Sequence, residues 1–331
     1  MDLIDISKRL IKFDRRRVKN PMRSLVFSRL DFMVAYSTAL QMEKDSEDYD
    51  PYEHENEQKG LIIAGSAGVG KSSLAKTYVK NNKPSLVTND DFTQKLIPTL
   101  YYQLPGQVTF KRIIAGQLRV LGYHPNMKHD EDTLTTQLLD ALQKCKVKII
   151  ILDEIQHLTT KKNIDQMPLI QNSLKGLINA CDQHFVFIGD ETTPKIIKGC
   201  GQLGRRAPTV IELLPFTFPS DCDSEVYQMI NPLLDLMPSD TGVTLSTKIN
   251  RLEFCQRLYL ASGGVIDAMR FFMHEALSYA MQNSKRTLDY SDFVYAYQMS
   301  PSDNAIIKKN PFGITKSELT KWLDKELGNA A

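Results

Sequence analysis

The segment GSAGVGKS, residues 65–72, constrains this chain more than any other. It fills the pattern G-x-x-x-x-G-K-[ST], in which glycines let the backbone curl around a phosphate with N–H groups pointing inward. The apolar run before it, residues 61–64, reads as a strand. Residues 71–80 read as a helix, whose N-terminal dipole favours an anion. Strand, loop and helix together commit the chain to an α/β core built for ATP. The expected contacts run through Gly65, Ser66, Ala67, Gly68, Val69, Gly70, Lys71, Ser72 and Ser73. Lys71 is expected to reach the β- and γ-phosphates, and the Ser72 hydroxyl to bind Mg²⁺. An ordinary glycine turn is the alternative, and the flanking elements argue against it.

A second signal lies in KIIILDEIQHL, residues 148–158, where an uninterrupted apolar strand ends in two carboxylates. In open α/β sheets, ligands gather at the carboxyl ends of the strands. Asp153 is therefore expected to hold Mg²⁺ through water, and Glu154 to orient and deprotonate the attacking water. Alone, an apolar run followed by Asp-Glu is a strand leaving the core; downstream of a complete phosphate loop it reads as catalytic.

The next apolar strand, residues 185–188, leads into GDETTP. Asp190 and Thr192 are candidates to contact the γ-phosphate or the attacking water. A helix N-cap by Thr192 or Thr193 before Pro194 explains the same residues equally well. Arg205 and Arg206, in GRRAP, are poorly placed for the core. They read either as a solvated charge pair or as an arginine finger offered to a neighbouring subunit. The second reading is favoured, with Arg206 slightly ahead of Arg205.

Between residues 59 and 215 apolar strands (61–64, 86–88, 99–104, 147–152, 185–188, 210–214) alternate with helical patterns (71–80, 91–97, 109–122, 131–144, 166–181, 193–206). That alternation predicts an α/β fold: a parallel sheet with helices on both faces. Residues 216–300 read as a small all-helical domain, with helices over 222–237, 246–261, 264–282 and 290–299. Residues 301–331 read as a tail with one amphipathic helix, 316–327.

The charge balance, 41 basic against 39 acidic residues, says nothing about partners by itself, but its distribution does. The first 29 residues hold nine basic side chains against Asp2, Asp5 and Asp14, and EKDSEDYDPYEHENEQ, 43–58, is strongly acidic. Residues 1–58 are therefore expected to be a basic, amphipathic extension of one or two helices with an acidic linker and a partner of its own. No apolar run reaches the roughly 18 residues of a membrane helix. The five cysteines are scattered without metal or disulfide spacing. A soluble, cytoplasmic protein with reduced thiols is expected.

The order of phosphate loop, Asp-Glu strand, polar strand end, arginine pair and helical domain resembles that of the AAA+ ATPases. LDEIQHL is similar to the DE-x-QHL signature of the TniB/TnsC family, ATPase regulators of multi-component DNA transposons, and the ending LRVLG at residues 118–122 also resembles that family. The resemblance covers residues 58–215 well and the helical domain loosely. It implies a protein that binds ATP and assembles as a ring or helical filament on double-stranded DNA. It further implies that the protein links a target-selection partner, of the TniQ or TnsD kind, to the transposase subunits, with no membrane involved. If such an assembly encircles DNA, Lys111 and Arg112 are candidates to line its pore; a solvated helix face is the alternative. The basic, apolar N-terminal run then suits docking of the target-selection partner better than bare DNA. Many AAA+ proteins carry a phosphate-touching arginine three residues after a helix-opening glycine; here that slot holds Asp267, and Arg270 lies one turn on. The core motifs alone also fit a replication loader or a secretion motor. A non-catalytic switch is disfavoured by the intact Glu154.

Overall fold

The computed structural model describes residues 2–16, 21–46, 49, 59–88, 93–159 and 164–328. They fall into two compact units, one of residues 22–67 and 71–213, the other of residues 1–21, 68–70 and 214–331. The two N-terminal helices, α1 (Leu3–Asp14) and α2 (Arg23–Lys44), are divided between them. Residues 47, 48 and 50–58 of the acidic linker lie outside the described residues.

The first unit is built on β1 (Gly60–Ala64), which runs into α3 (Lys71–Asn81). A hairpin of β2 (Ser85–Thr88) and β3 (Thr93–Leu96) follows, then β4 (Thr99–Gln103), α4 (Phe110–Leu121) and α5 (Glu131–Lys144). The second half holds β5 (Ile149–Asp153), α6 (Met167–Ala180), β6 (His184–Gly189), α7 (Thr193–Gly199), α8 (Gly201–Arg206) and β7 (Thr209–Glu212). The main sheet has the order β4-β5-β6-β1-β7, every pair parallel. Each residue of β5 and β6 is buried, as a strand covered on both faces must be. Strand alternation sorts the side chains: Ile62, Ile150, Leu152, Phe185 and Phe187 join one core with residues of α4 to α8. On α2, Val26, Leu30 and Met33 are buried, and the helix packs on β5 and β6. The Tyr78 hydroxyl of α3 donates to Asp31 Oδ1 at 2.8 Å, and Lys44 pairs with Asp182 at 2.8 Å. Helix α2 is thus part of the sheet unit's packing.

Local chemistry sets the ends of α4 and α5 where the sequence predicts them. Thr109 caps α4 by accepting from the Arg112 N–H at 3.2 Å, and Gly122 ends it in the left-handed conformation, φ 97°. Asp130 caps α5 by accepting from the Thr133 N–H at 2.7 Å. Two expectations fail. Residues 93–96 are β3, antiparallel to β2, within the stretch 91–97 read as helical; long-range pairing overrides local spacing in so short a segment. Residues 193–206 form two helices, because the backbone is extended at Cys200 (φ −85°, ψ 96°).

In the second unit α1 joins α9 (Glu225–Thr241), α10 (Arg251–Ser262), α11 (Ile266–Gln282), α12 (Tyr290–Met299) and α13 (Lys316–Gly328). A two-residue parallel pair, β8 (Thr244–Leu245) and β9 (Thr287–Leu288), ties its loops. The apolar stripe of α1, Ile6, Leu10 and Phe13, is buried in the same core as Met229, Leu233 and Phe272. Arg16 grips the buried Asp240 with two bonds, Nε to Oδ2 at 2.6 Å and Nη2 to Oδ1 at 2.7 Å, and Lys12 adds a third contact at 3.0 Å. These cations hold the Asp240 carboxyl down at about 2. After residue 300, Ile307, Phe312, Ile314 and Leu319 are buried, and Arg257 donates to the carbonyls of Pro311 and Ile314. No helix among the described residues is long and apolar enough to cross a membrane.

Candidate functional site

The phosphate loop leaves the carboxyl end of β1 and closes on its own lysine. Lys71 Nζ donates to the carbonyls of Gly65 and Ser66, each at 2.7 Å. Gly70 has φ 95°, a conformation that a side chain would strain. Burial lowers the Lys71 pKa, and Asp153, Glu154, Asp190 and Glu191 pull it back up. Four carboxylates are therefore within electrostatic reach of this one ammonium.

Asp153, the last residue of β5, is buried, and its carboxylate is satisfied on both oxygens. Tyr101, on β4, donates its hydroxyl to Oδ2 at 2.6 Å, and the Glu154 backbone N–H donates to Oδ1 at 2.8 Å. The Tyr101 phenol is pushed strongly upward, first by burial and then by its bond to Asp153. Tyr101 thus holds one of the two residues expected to bind Mg²⁺. The sequence reading missed it, since a tyrosine in an apolar strand looks like core. Its only sequence signal is a polar tip next to residues that need hydrogen bonds.

Glu154 follows the strand with φ 64°, rare for a residue with a side chain and a strain that functional sites commonly hold. The Gln156 amide donates to Glu154 Oε2, and its oxygen accepts the Asp190 backbone N–H at 3.2 Å. Gly189 makes room for this: a Cβ there would lie 2.5 Å from Gln156 Oε1. His157 donates Nδ1–H to the carbonyl of Leu104, beyond β4, at 2.8 Å, and Leu158 is buried in the core. The run QHL, which carried the family resemblance without a role, is the splice joining the ends of β4, β5 and β6 around Glu154.

Asp190 Oδ1 accepts from the Thr192 backbone N–H at 2.9 Å and from its hydroxyl at 2.5 Å. The Thr192 side chain makes no cap bond to α7. Asp190 orders this turn, and Thr192 is exposed on it.

The structure brings the loop, Asp153, Glu154 and Asp190 together. Arg205 and Arg206 lie apart, in the last turn of α8. Arg206 donates to Asn179 Oδ1 at 2.6 Å and to the Gln202 carbonyl at 3.0 Å. Arg205 is exposed and has no hydrogen-bond or ion-pair partner among the described residues. Lys111 and Arg112 sit in the first turn of α4, with Arg112 bonded to Gln107. Arg270 donates to the Asp14 carbonyl at the end of α1. Among the described residues no three His, Cys, Asp or Glu side chains could hold a metal by themselves.

Solved structures share this fold at low identity. Cdc6p from Pyrobaculum aerophilum superposes with a TM-score of 0.57 at 16% identity, over 93% of this chain and 73% of that one. The ORC1 protein of Aeropyrum pernix, solved in complex with DNA, gives 0.59 at 14% identity over 88% and 69%. The ORC2 protein of the same organism, solved as ADPNP–ADP complexes, gives 0.56 at 13% over 93% and 73%. No curated protein matches the sequence. The family model for TniB, described as bacterial TniB protein, matches residues 25–212, from within α2 to the end of β7. That span covers more than half of the 331 residues and every motif at the strand ends. The chain belongs to the TniB family.

Proposed function

We propose that this protein hydrolyses ATP with Mg²⁺ at the ends of β1, β5 and β6, and that the bound nucleotide controls its assembly on double-stranded DNA. There it links a target-selection protein to the transposase subunits. The observation that carries this reading is the bonded series Tyr101, Asp153, Glu154, Gln156 and Asp190, within electrostatic reach of Lys71. Residues 65–73 cradle the phosphates, and Lys71 compensates the charge on the β- and γ-groups. The Ser72 hydroxyl and Asp153 carboxylate are hard oxygen donors, and the local excess of carboxylates over the one ammonium suits a divalent cation. Bound Mg²⁺ supplies charge neutralisation at the phosphate oxygens. Glu154 orients the attacking water and takes its proton, and Asp190 or Thr192 lies toward the γ-phosphate.

The arginine pair serves the site of a neighbouring copy, with Arg205 ahead of Arg206, the reverse of the order read from the sequence, because Arg206 is bonded to Asn179 and Gln202 in its own chain. The exposure of Arg205 in the folded chain supports that direction. Lys111 and Arg112 occupy a helix N-terminus, where the dipole disfavours cations, so their presence suggests an external anion such as the DNA backbone. The description of the ORC1 neighbour as a DNA complex supports the same class of ligand here.

The test is to measure ATP turnover with and without unrelated duplexes, and to image the protein on DNA with ATP. Rings or filaments that need both ATP and duplex, with salt-sensitive but sequence-indifferent binding, are expected. Turnover without any assembly on DNA would reject the scaffold reading; no nucleotide binding at all would reject the site.

A further inference from the structure

Tyr101 is the polar residue of the site that the phosphate-loop and acidic-strand patterns do not account for. Its ring lies on β4 and its hydroxyl reaches across to β5, donating to Asp153 Oδ2 at 2.6 Å. Ser72 stands at the start of α3, the helix whose Lys76 faces the same tyrosine. Lys76, four residues along α3, lies over the ring at 5.6 Å from its centroid. Asp153 is 1% exposed, and its second oxygen is already occupied by the Glu154 N–H. A buried carboxylate must be hydrogen-bonded, and what bonds it decides where it points. In register, Tyr101 pairs with Ile151, two residues before Asp153, so strand alternation puts it on the same face of the sheet as Asp153. β4 thus delivers a donor to the one carboxylate that β5 presents there.

We propose that Tyr101 is a positioning residue of the metal–nucleotide site. Its hydroxyl fixes the Asp153 carboxylate, so that this oxygen ligand is placed before Mg²⁺–ATP arrives. The inference rests on the reading of Ser72 and Asp153 as the magnesium-binding pair. Partners that orient a metal-binding group typically change metal affinity by 10- to 100-fold when removed. Loss of this hydroxyl alone is therefore expected to raise the Mg²⁺ requirement without dismantling the fold.

The experiment is a Mg²⁺ titration of fluorescent ATP-analogue binding to the full chain, comparing wild type, Tyr101→Phe and Asp153→Asn. Binding in EDTA and the melting temperature of the ligand-free protein are measured alongside. Tyr101→Phe keeps the ring and removes only the hydroxyl. Its Mg²⁺ midpoint is expected to rise about tenfold, with EDTA binding and melting close to wild type. An unchanged midpoint in Tyr101→Phe, with a raised one in Asp153→Asn, overturns the role of Tyr101 and leaves the magnesium-binding pair standing. An unchanged midpoint in Asp153→Asn removes the pair itself. A fall in melting temperature with equal losses in EDTA and in Mg²⁺ makes Tyr101 a packing residue and also overturns the proposal.

Discussion

The strand-end residues and the arginine pair are held in opposite ways. Tyr101, Asp153, Glu154, Gln156, Asp190 and Thr192 are bonded to one another across the ends of β4, β5 and β6. Arg205 is exposed at the end of α8, and its neighbour Arg206 is tied to Asn179. Groups that act within their own chain can be fixed before the ligand arrives, so no reorganisation is needed at the moment of reaction. A group that acts on another molecule must stay outside the packing, and only the arrival of that molecule fixes it. The contrast suggests that the first set is complete in one chain and that the second works only between chains.

The largest effect is expected where the first set meets the phosphates. Lys71→Ala is expected to abolish ATP binding and all ATP-dependent assembly, because the β- and γ-phosphates lose their compensating ammonium. Equilibrium binding of labelled ATP measures this, and ordinary affinity in the variant would remove the loop from the site.

Glu154→Gln keeps the shape and the Gln156 neighbour but loses the base. Its turnover is expected to fall by about 10³ with binding retained, trapping the assembly on DNA. Single-turnover hydrolysis beside a binding isotherm separates the two quantities; wild-type turnover would mean that another group is the base.

Arg205→Ala is expected to lower turnover by about 10², with a smaller loss in Arg206→Ala, whose guanidinium already has partners in its own chain. The comparison breaks or holds on a mixing experiment. Inactive Arg205→Ala and inactive Glu154→Gln should regain activity together, because each supplies what the other lacks. If no mixing ratio restores turnover, the arginines do not act between chains.

The smallest effect concerns DNA. Lys111→Ala with Arg112→Ala is expected to weaken binding equally for unrelated duplexes. The slope of log affinity against log salt should fall by roughly 0.9 per lost phosphate contact. A sequence-selective loss would place these residues on bases or off the DNA path.

By itself the sequence determined the phosphate loop, the Asp153–Glu154 strand end, the α/β alternation and most helix boundaries. These follow from short-range rules. Glycines at fixed spacing permit one backbone path, an unbroken apolar run must be buried on both sides, and Thr109, Asp130 and Gly122 set helix ends through their immediate neighbours. Only the tertiary structure decided which partner each segment found. α1 and α2 look alike as basic amphipathic stretches, yet Asp240 captures the first and Tyr78 with β5 and β6 holds the second. Residues 93–96 became a strand because β2 was there to pair with them. Tyr101, Gln156 and His157 gained roles because β4, β5 and β6 end side by side, bringing together groups from residues 101 to 190. Such contacts depend on the order of strands across the sheet, which no local spacing encodes, and hydrogen-bond direction at a buried carboxylate is settled only once those strands are paired.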